Sequence, residues 1–125
     1  MGRFNANKIE IQQCVEQLAR TKSIRSFYPE YICGVLGIPM DDVIIELKRL
    51  VEDGILELKF EIKSPESANI VKSVDDFNEY IGEDLEDIMT GEIFDVEYEN
   101  IFPCYYIAKE YRDYLKKNLI FQSAL

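Results

Sequence analysis

Histidine is missing from the 125-residue chain. That excludes Ser-His-Asp triads, HExxH metalloproteases and His-ligated zinc. Cysteine is scarce: Cys14, Cys33 and Cys104 are odd in number, widely spaced and without a CxxC pair. They mark no disulfide framework and fit a reducing, cytoplasmic location. The six glycines are scattered singly, so no Gly-rich phosphate loop is present. Long apolar runs are absent too, far short of the roughly 18 residues a spanning helix needs, and no membrane association is expected. The start, MGRFNA, has Gly2 but Ala6 where a myristoylation signal wants Ser or Thr, and it lacks the apolar core of a secretory signal. Basic charge is short as well. Fourteen Lys and Arg face 24 Asp and Glu, for a net charge of −10. That balance repels a polyanion, so nucleic acid is disfavoured as a partner.

These absences remove most chemistry. Without a His or a clustered base, nothing activates Cys104 as a nucleophile. No carboxylate pair stands out for acid–base work, and the D-x-D-x-D-G order of a calcium loop is not found. No catalytic residue, no metal ligand and no cofactor is therefore predicted, and the chain reads as a non-enzyme.

What is present is an ordinary globular composition, 47% apolar and 30% charged, with a length suited to one α+β domain over residues 1–125. Ile11, Cys14, Val15 and Leu18 form one stripe of a helix over about residues 7–20. Residues 23–27 form a short strand. Pro29 opens a second helix with Ile32, Val35 and Leu36 inward, and Gly37 ends it. Asp41 is placed to cap a third helix, which runs to about residue 53 with Ile44, Leu47 and Val51 inward beside Val43 and Leu50. After Gly54 the period changes to 2. Leu56, Leu58, Phe60 and Ile62 alternate with Glu57, Lys59, Glu61 and Lys63, a half-buried strand with a charged outer face. Phe94, Val96 and Tyr98 alternate with acidic residues in a second strand. A third covers 102–107, at a sheet edge or strand start because of Pro103. Residues 108–118 close the chain as a helix.

Helix, short strand, helix, tight turn, helix and then a strand opening on Gly54 resembles the winged-helix plan. The stretch Val35-Leu36-Gly37-Ile38-Pro39 … Val43 … Leu47 … Leu50-Val51-Glu52-Asp53-Gly54-Ile55-Leu56 is similar to that family's second and third helices entering the first wing strand. Cys104 to Leu115 is similar to its last wing strand and closing helix. The resemblance covers about residues 7–63 and 101–118. It implies a three-helix core plus a β-wing, with a C-terminal helix and an acidic insertion between the wing strands.

That insertion, residues 64–100, is too long to be a bare loop. It resembles the zinc ribbons inserted at this place in some bacterial winged-helix proteins, in which a Cys-Pro-x-Cys knuckle begins each half. Here the matching segments are Ser64-Pro65-Glu66-Ser67 and Asp87-Ile88-Met89-Thr90-Gly91. The resemblance thus implies a degenerate ribbon, free of metal, with Ser64, Ser67, Asp87 and Thr90 at the lost ligand places. Ser and Thr hydroxyls do not ionise near neutral pH as thiols can, and so are poor zinc ligands.

Charge is concentrated in the insertion. Residues 64–102 carry one basic and twelve acidic groups, net −11, whereas residues 1–27 carry five basic and two acidic, net +3. Residues 75–87 have helical character, with Phe77, Ile81, Leu85 and Ile88 at helical spacing. Their solvent-facing Glu83, Asp84, Glu86 and Asp87 are the candidate contacts for a basic protein partner. The alternative site is the third helix, which reads DNA in winged-helix proteins. It offers only Lys48 and Arg49 against Asp41, Asp42, Glu46, Glu52 and Asp53. The N-terminal cluster Arg3, Lys8, Arg20, Lys22 and Arg25 reads as a solvated face. The apolar tail Leu119-Ile120-Phe121, placed beyond the closing helix, suggests a homodimer contact.

The favoured function is a protein–protein interaction module, an adaptor or regulatory subunit. The resemblance points to a bacterial multi-component system such as a defence operon. A DNA-binding transcriptional regulator and an antitoxin-like inhibitor of a basic nuclease are the alternatives.

Overall fold

Asn5 opens the first helix by accepting a hydrogen bond from the Lys8 N–H at 3.1 Å, the expected N-cap geometry. The computed structural model describes residues 5–124, with side chains as far as residue 118. Within them lie four α-helices and two antiparallel sheets, an α+β architecture. The chain divides into two compact units. One is built from residues up to Glu57 and from Tyr105 onward, the other from Leu58–Cys104.

The first unit contains α1 (Ala6–Arg20), β1 (Ser26–Phe27), α2 (Pro29–Leu36), α3 (Met40–Glu52) and α4 (Lys109–Ala124). Ile11, Val15 and Leu18 of α1, Ile32 of α2, and Val43, Leu47 and Leu50 of α3 are all buried. α1 and α3 thus each contribute one stripe at a 3.6-residue period, and α2 contributes Ile32 beside Pro29. Gly37 ends α2 at φ 66°, its N–H donating to the Cys33 carbonyl at 2.9 Å. That left-handed turn is inexpensive only for a residue without Cβ.

Four helix details differ from the sequence reading. Of the inward stripe expected for α3 only Leu47 is buried; Val43 and Leu50, expected alongside it, are the other buried apolar positions, and Ile44 and Val51 are half-buried. Pro39, not Asp41, is the N-cap of α3, and Asp41 and Asp42 sit in its first turn, where the helix dipole favours them. Val35 is 56% exposed instead of inward, because α2 is only eight residues long and Ile32 takes the central contact. The closing helix runs on to Ala124, so the Leu119-Ile120-Phe121 segment belongs to it and does not follow it. The side chains of that segment lie outside the described residues.

Two strands pass between the units: β2 (Leu56–Lys63) and β6 (Ile101–Ile107). The larger sheet has the order β1-β6-β2-β3, with β3 being Ile70–Val74. β1 pairs with β6 through Ser26↔Tyr106 and Phe27↔Tyr105. β6 is therefore internal to the sheet, not at its edge. Pro103 is tolerated there because the two-residue β1 ends its pairing at Tyr105, before Pro103 is reached. β3 is a strand the hydrophobic pattern does not announce. It pairs with β2 through Phe60↔Val74, Glu61↔Ser73 and Ile62↔Lys72.

The second unit also holds the hairpin β4 (Asp84–Asp87) and β5 (Glu92–Asp95). Its core is Ile62, Phe94 and Val96, with Val71, Val74, Leu85 and Ile101 packed around them. The strict alternation expected of β2 fails in its second half: Glu61 is buried and Phe60 only half-buried. The Phe60 ring meets Phe77 edge-on, 4.8 Å between centroids, on a single 3-10 turn over Phe77–Glu79. The helix expected over 75–87 is absent. Asp76 caps only that one turn, and Gly82, at φ 82°, turns the chain into β4. β5 likewise stops at Asp95, short of the expected Tyr98. A reciprocal pair of hydrogen bonds between Glu97 and Asn100 folds residues 98–100 into a second 3-10 turn, with the Glu97 N–H 2.8 Å from Asn100 Oδ1.

Candidate functional site

On α3 the groups available to a polyanion are fewer than the sequence suggests. Glu46 is buried and accepts from Arg49 on both oxygens, with Nη2 2.7 Å from Oε1 and Nε 3.3 Å from Oε2. Gln12 of α1 donates to Oε1 at 2.9 Å. Burial pushes the Glu46 carboxyl up, but the hydrogen bonds from Arg49 and Gln12 and the charges of Arg49 and Lys8 outweigh it and hold the group below its ordinary value. Arg49 is therefore engaged within the fold. Lys48 is exposed on a helix that also exposes Asp41, Asp42, Glu52 and an Ile45 that is 69% exposed.

The acidic hairpin presents a different surface. Its register pairs Asp84↔Asp95, Leu85↔Phe94, Glu86↔Ile93 and Asp87↔Glu92. Because successive side chains alternate, Asp84, Glu86, Ile93 and Asp95 share the exposed face, and Leu85, Asp87, Glu92 and Phe94 share the other. Asp84 and Asp95 are like charges directly opposite. Their mutual hydrogen bond and repulsion raise the Asp84 carboxyl above its usual range, and Glu99 does the same to Glu97. The basic residues of this unit are engaged elsewhere. Lys59 pairs with Asp75 at 3.0 Å, Lys63 lies over the Phe102 ring at 4.7 Å, and Lys72 lies over the Tyr80 ring at 5.3 Å.

Of the four residues expected to meet a partner, Glu83, Asp84 and Glu86 are exposed and Asp87 is not. Asp87 is only 2% exposed and is the centre of a polar cluster. Its Oδ2 accepts from Ser67 Oγ at 2.6 Å and from Asn69 Nδ2 at 3.1 Å, and its Oδ1 accepts from the Met89 N–H at 3.0 Å. The Ser67 hydrogen bond, joined by those of Asn69, Met89 and Thr90, overcomes burial and holds the Asp87 carboxyl below the usual carboxylate value. Asp87 is thus a structural acceptor whose ladder position turns it inward, and it cannot also serve as a surface contact.

Two turns of the same form meet at this cluster. In the first, the Ala68 N–H donates to the Ser64 carbonyl at 2.8 Å, and the Asn69 N–H donates to Ser67 Oγ at 3.1 Å. In the second, the Gly91 N–H donates to the Asp87 carbonyl at 2.7 Å, and the Glu92 N–H donates to Thr90 Oγ1 at 3.2 Å. Ala68 and Gly91 hold the matching left-handed positions, φ 62° and 77°. Ser64, Ser67, Asp87 and Thr90 therefore occupy equivalent places in a pair of facing turns, and Ser64 Oγ bonds to Glu92. Among the described residues no group of three or more acidic or thiol side chains is arranged to hold a metal ion.

No described helix is long and apolar enough to cross a membrane. Compared with protein-family models, curated proteins and solved structures, the chain matches none.

Proposed function

We propose that the chain is a non-enzymatic protein-interaction module, an adaptor or regulatory subunit that binds a basic protein partner. We read it as a winged-helix domain whose wing carries a degenerate ribbon, working in the cytoplasm of a bacterium as part of a multi-component, defence-type system. The observation that carries the binding class is the exposed face of the β4–β5 hairpin. There Asp84, Glu86 and Asp95 stand together while the unit's lysines are paired elsewhere. A surface with uncompensated charge of one sign steers a partner of the other. The engagement of Arg49 by Glu46 supports the same reading, because it leaves α3 with little to offer phosphate. The two facing turns support the ribbon reading, and the free cysteines are compatible with a reducing compartment.

The test has two arms. A fluorescence-anisotropy titration uses duplex from upstream of the protein's own gene. Almost no binding is expected, even at low salt, and sequence-specific submicromolar binding at physiological salt would replace this reading with the regulator. Separately, a basic protein that co-purifies from the native host should be lost when Glu83, Asp84 and Glu86 are all changed to Lys.

A further inference from the structure

Three large apolar side chains on the β4–β5 hairpin are mostly exposed. Ile88 is 90% exposed, Met89 85% and Ile93 68%. Ile88 and Met89 form the tip, and Ile93 stands on the outward face directly across from Glu86. Single exposed apolar residues are common and need no explanation. Three on one hairpin, two of them adjacent, are a concentrated apolar surface in a segment that is otherwise strongly acidic.

The tip is also held in shape. The Met89 N–H is bound to the Asp87 carboxylate, and the Thr90 and Gly91 N–H groups reach the Asp87 carbonyl at 3.2 and 2.7 Å. Gly91 supplies the left-handed residue the turn requires. The buried Asp87 cluster thus orders the main chain that carries these two side chains, so binding has only their rotamers left to order. Methionine adds an unbranched, polarizable side chain that adapts to irregular surfaces.

We propose that Ile88, Met89 and Ile93 are the apolar anchor of the docking surface, and that their occupant is a protein face bearing an apolar patch flanked by Lys or Arg. Charge complementarity selects this occupant. The anchor is bordered by Glu86 and by the Asp84–Asp95 pair, which a partner's cations would separate and neutralise. A second copy of the same hairpin would bring like charges together, and a lipid surface with anionic headgroups would be repelled. The proposal rests on the basic-partner reading above and adds to it that the contact is anchored by apolar burial and not by charge alone.

The probes are two synthetic 18-residue peptides of equal positive charge, titrated into the full chain by calorimetry. One places Leu at helical i, i+3, i+4 and i+7 spacing among Lys; the other has Gln in place of every Leu. The Leu peptide should bind at least tenfold more tightly. Changing Ile88 and Met89 together to Ser should abolish that preference, leave binding of the Gln peptide unchanged, and leave the melting temperature unchanged. A preference that survives the double substitution overturns the anchor but not the basic-partner reading. If Glu83, Asp84 and Glu86 changed to Lys leave both affinities unaltered, the basic-partner reading itself fails. A wild-type dimer by light scattering that becomes monomeric on the Ser substitutions would assign the anchor to a second copy and overturn the proposed occupant.

Discussion

Removal of one hydroxyl should show whether the cluster around Asp87 holds the second unit together. In Ser67→Ala the side chain loses both of its bonds, donation to Asp87 Oδ2 at 2.6 Å and acceptance from the Asn69 N–H at 3.1 Å. A hydrogen bond to a charged group contributes about 1.5–3 kcal/mol and a neutral one about 1 kcal/mol, and water cannot easily replace either beside so enclosed a carboxylate. Some of the loss is recovered, because Asn69 Nδ2 and the Met89 N–H remain in place. We therefore expect Ser67→Ala to cost about 2–3 kcal/mol, or roughly 8–12 °C in melting temperature for a chain of this length. Urea denaturation followed by far-UV circular dichroism gives the total. Amide hydrogen exchange locates it, since the Asn69, Met89 and Gly91 amides should lose protection first. The control is Glu86→Ala, one residue from Asp87 but on the exposed face, which should change stability by under about 0.5 kcal/mol. If Ser67→Ala falls within that limit, or if Glu86→Ala costs as much, the cluster is not what fixes these turns.

Three further outcomes are expected. Ile62→Ala should destabilise by about 2–5 kcal/mol because Ile62 is fully buried, whereas Ile88→Ala at the exposed tip should be close to neutral in the same urea titration. Stability should respond to acid in two opposite directions, measured as the urea midpoint from neutral to strongly acidic pH. Asp84 and Glu97 have raised native values, so protonation relieves repulsion and stability rises as pH falls through those values towards the ordinary carboxylate range; Asp87 and Glu46 have lowered values, so their contribution is present above that range and is lost as pH falls through their native values. Asp95→Asn should weaken the first trend and leave the second. Elemental analysis should find no stoichiometric metal in the purified protein, and a chelator should leave its melting temperature unchanged; one zinc per chain would refute the reading of the facing turns as metal-free.

The helices are legible from their 3.6-residue period, but the exact face of α3 is not: Ile44 and Val51 lie next to Val43 and Leu50 on the helix, so the apolar stripe is wide enough to be read one residue off. The strand β2 was legible in its first half for the same kind of reason. Its second half was not, because β3 and the Phe77 turn come from an insertion whose packing the pattern of β2 alone does not contain. The false helix over 75–87 has a definite cause. Phe77, Ile81 and Leu85 are four residues apart, and four is both about one helical turn and an even number of strand residues. The spacing therefore fits either structure, and the deciding feature was Gly82 in a left-handed conformation. Asp87 was misplaced because its residue type matches that of its exposed neighbours. The only sequence signal for its role was the repeated offset of Ser64 and Ser67 in Asp87 and Thr90, which the structure brings into facing turns.

Two features of the second unit work against the isolated chain. Asp84 against Asp95 and Glu97 against Glu99 are like-charge pairs that stabilise neither the hairpin nor the turn after it. Ile88 and Met89 leave apolar surface in water although a polar residue at either place would satisfy the same turn, whose hydrogen bonds use only main chain, Asp87 and Thr90. Neither feature is required by the core of Ile62, Phe94 and Val96, which packs on the opposite side of the hairpin. The Asp84–Asp95 pair and Ile93 share the exposed face of the hairpin, and Ile88 and Met89 stand exposed at its tip. A partner offering cations around an apolar patch would relieve both at once, whereas a polyanion would worsen the first and a purely charged partner would leave the second. Because both features lie on one hairpin, we propose the basic-partner contact and the apolar anchor as parts of a single surface.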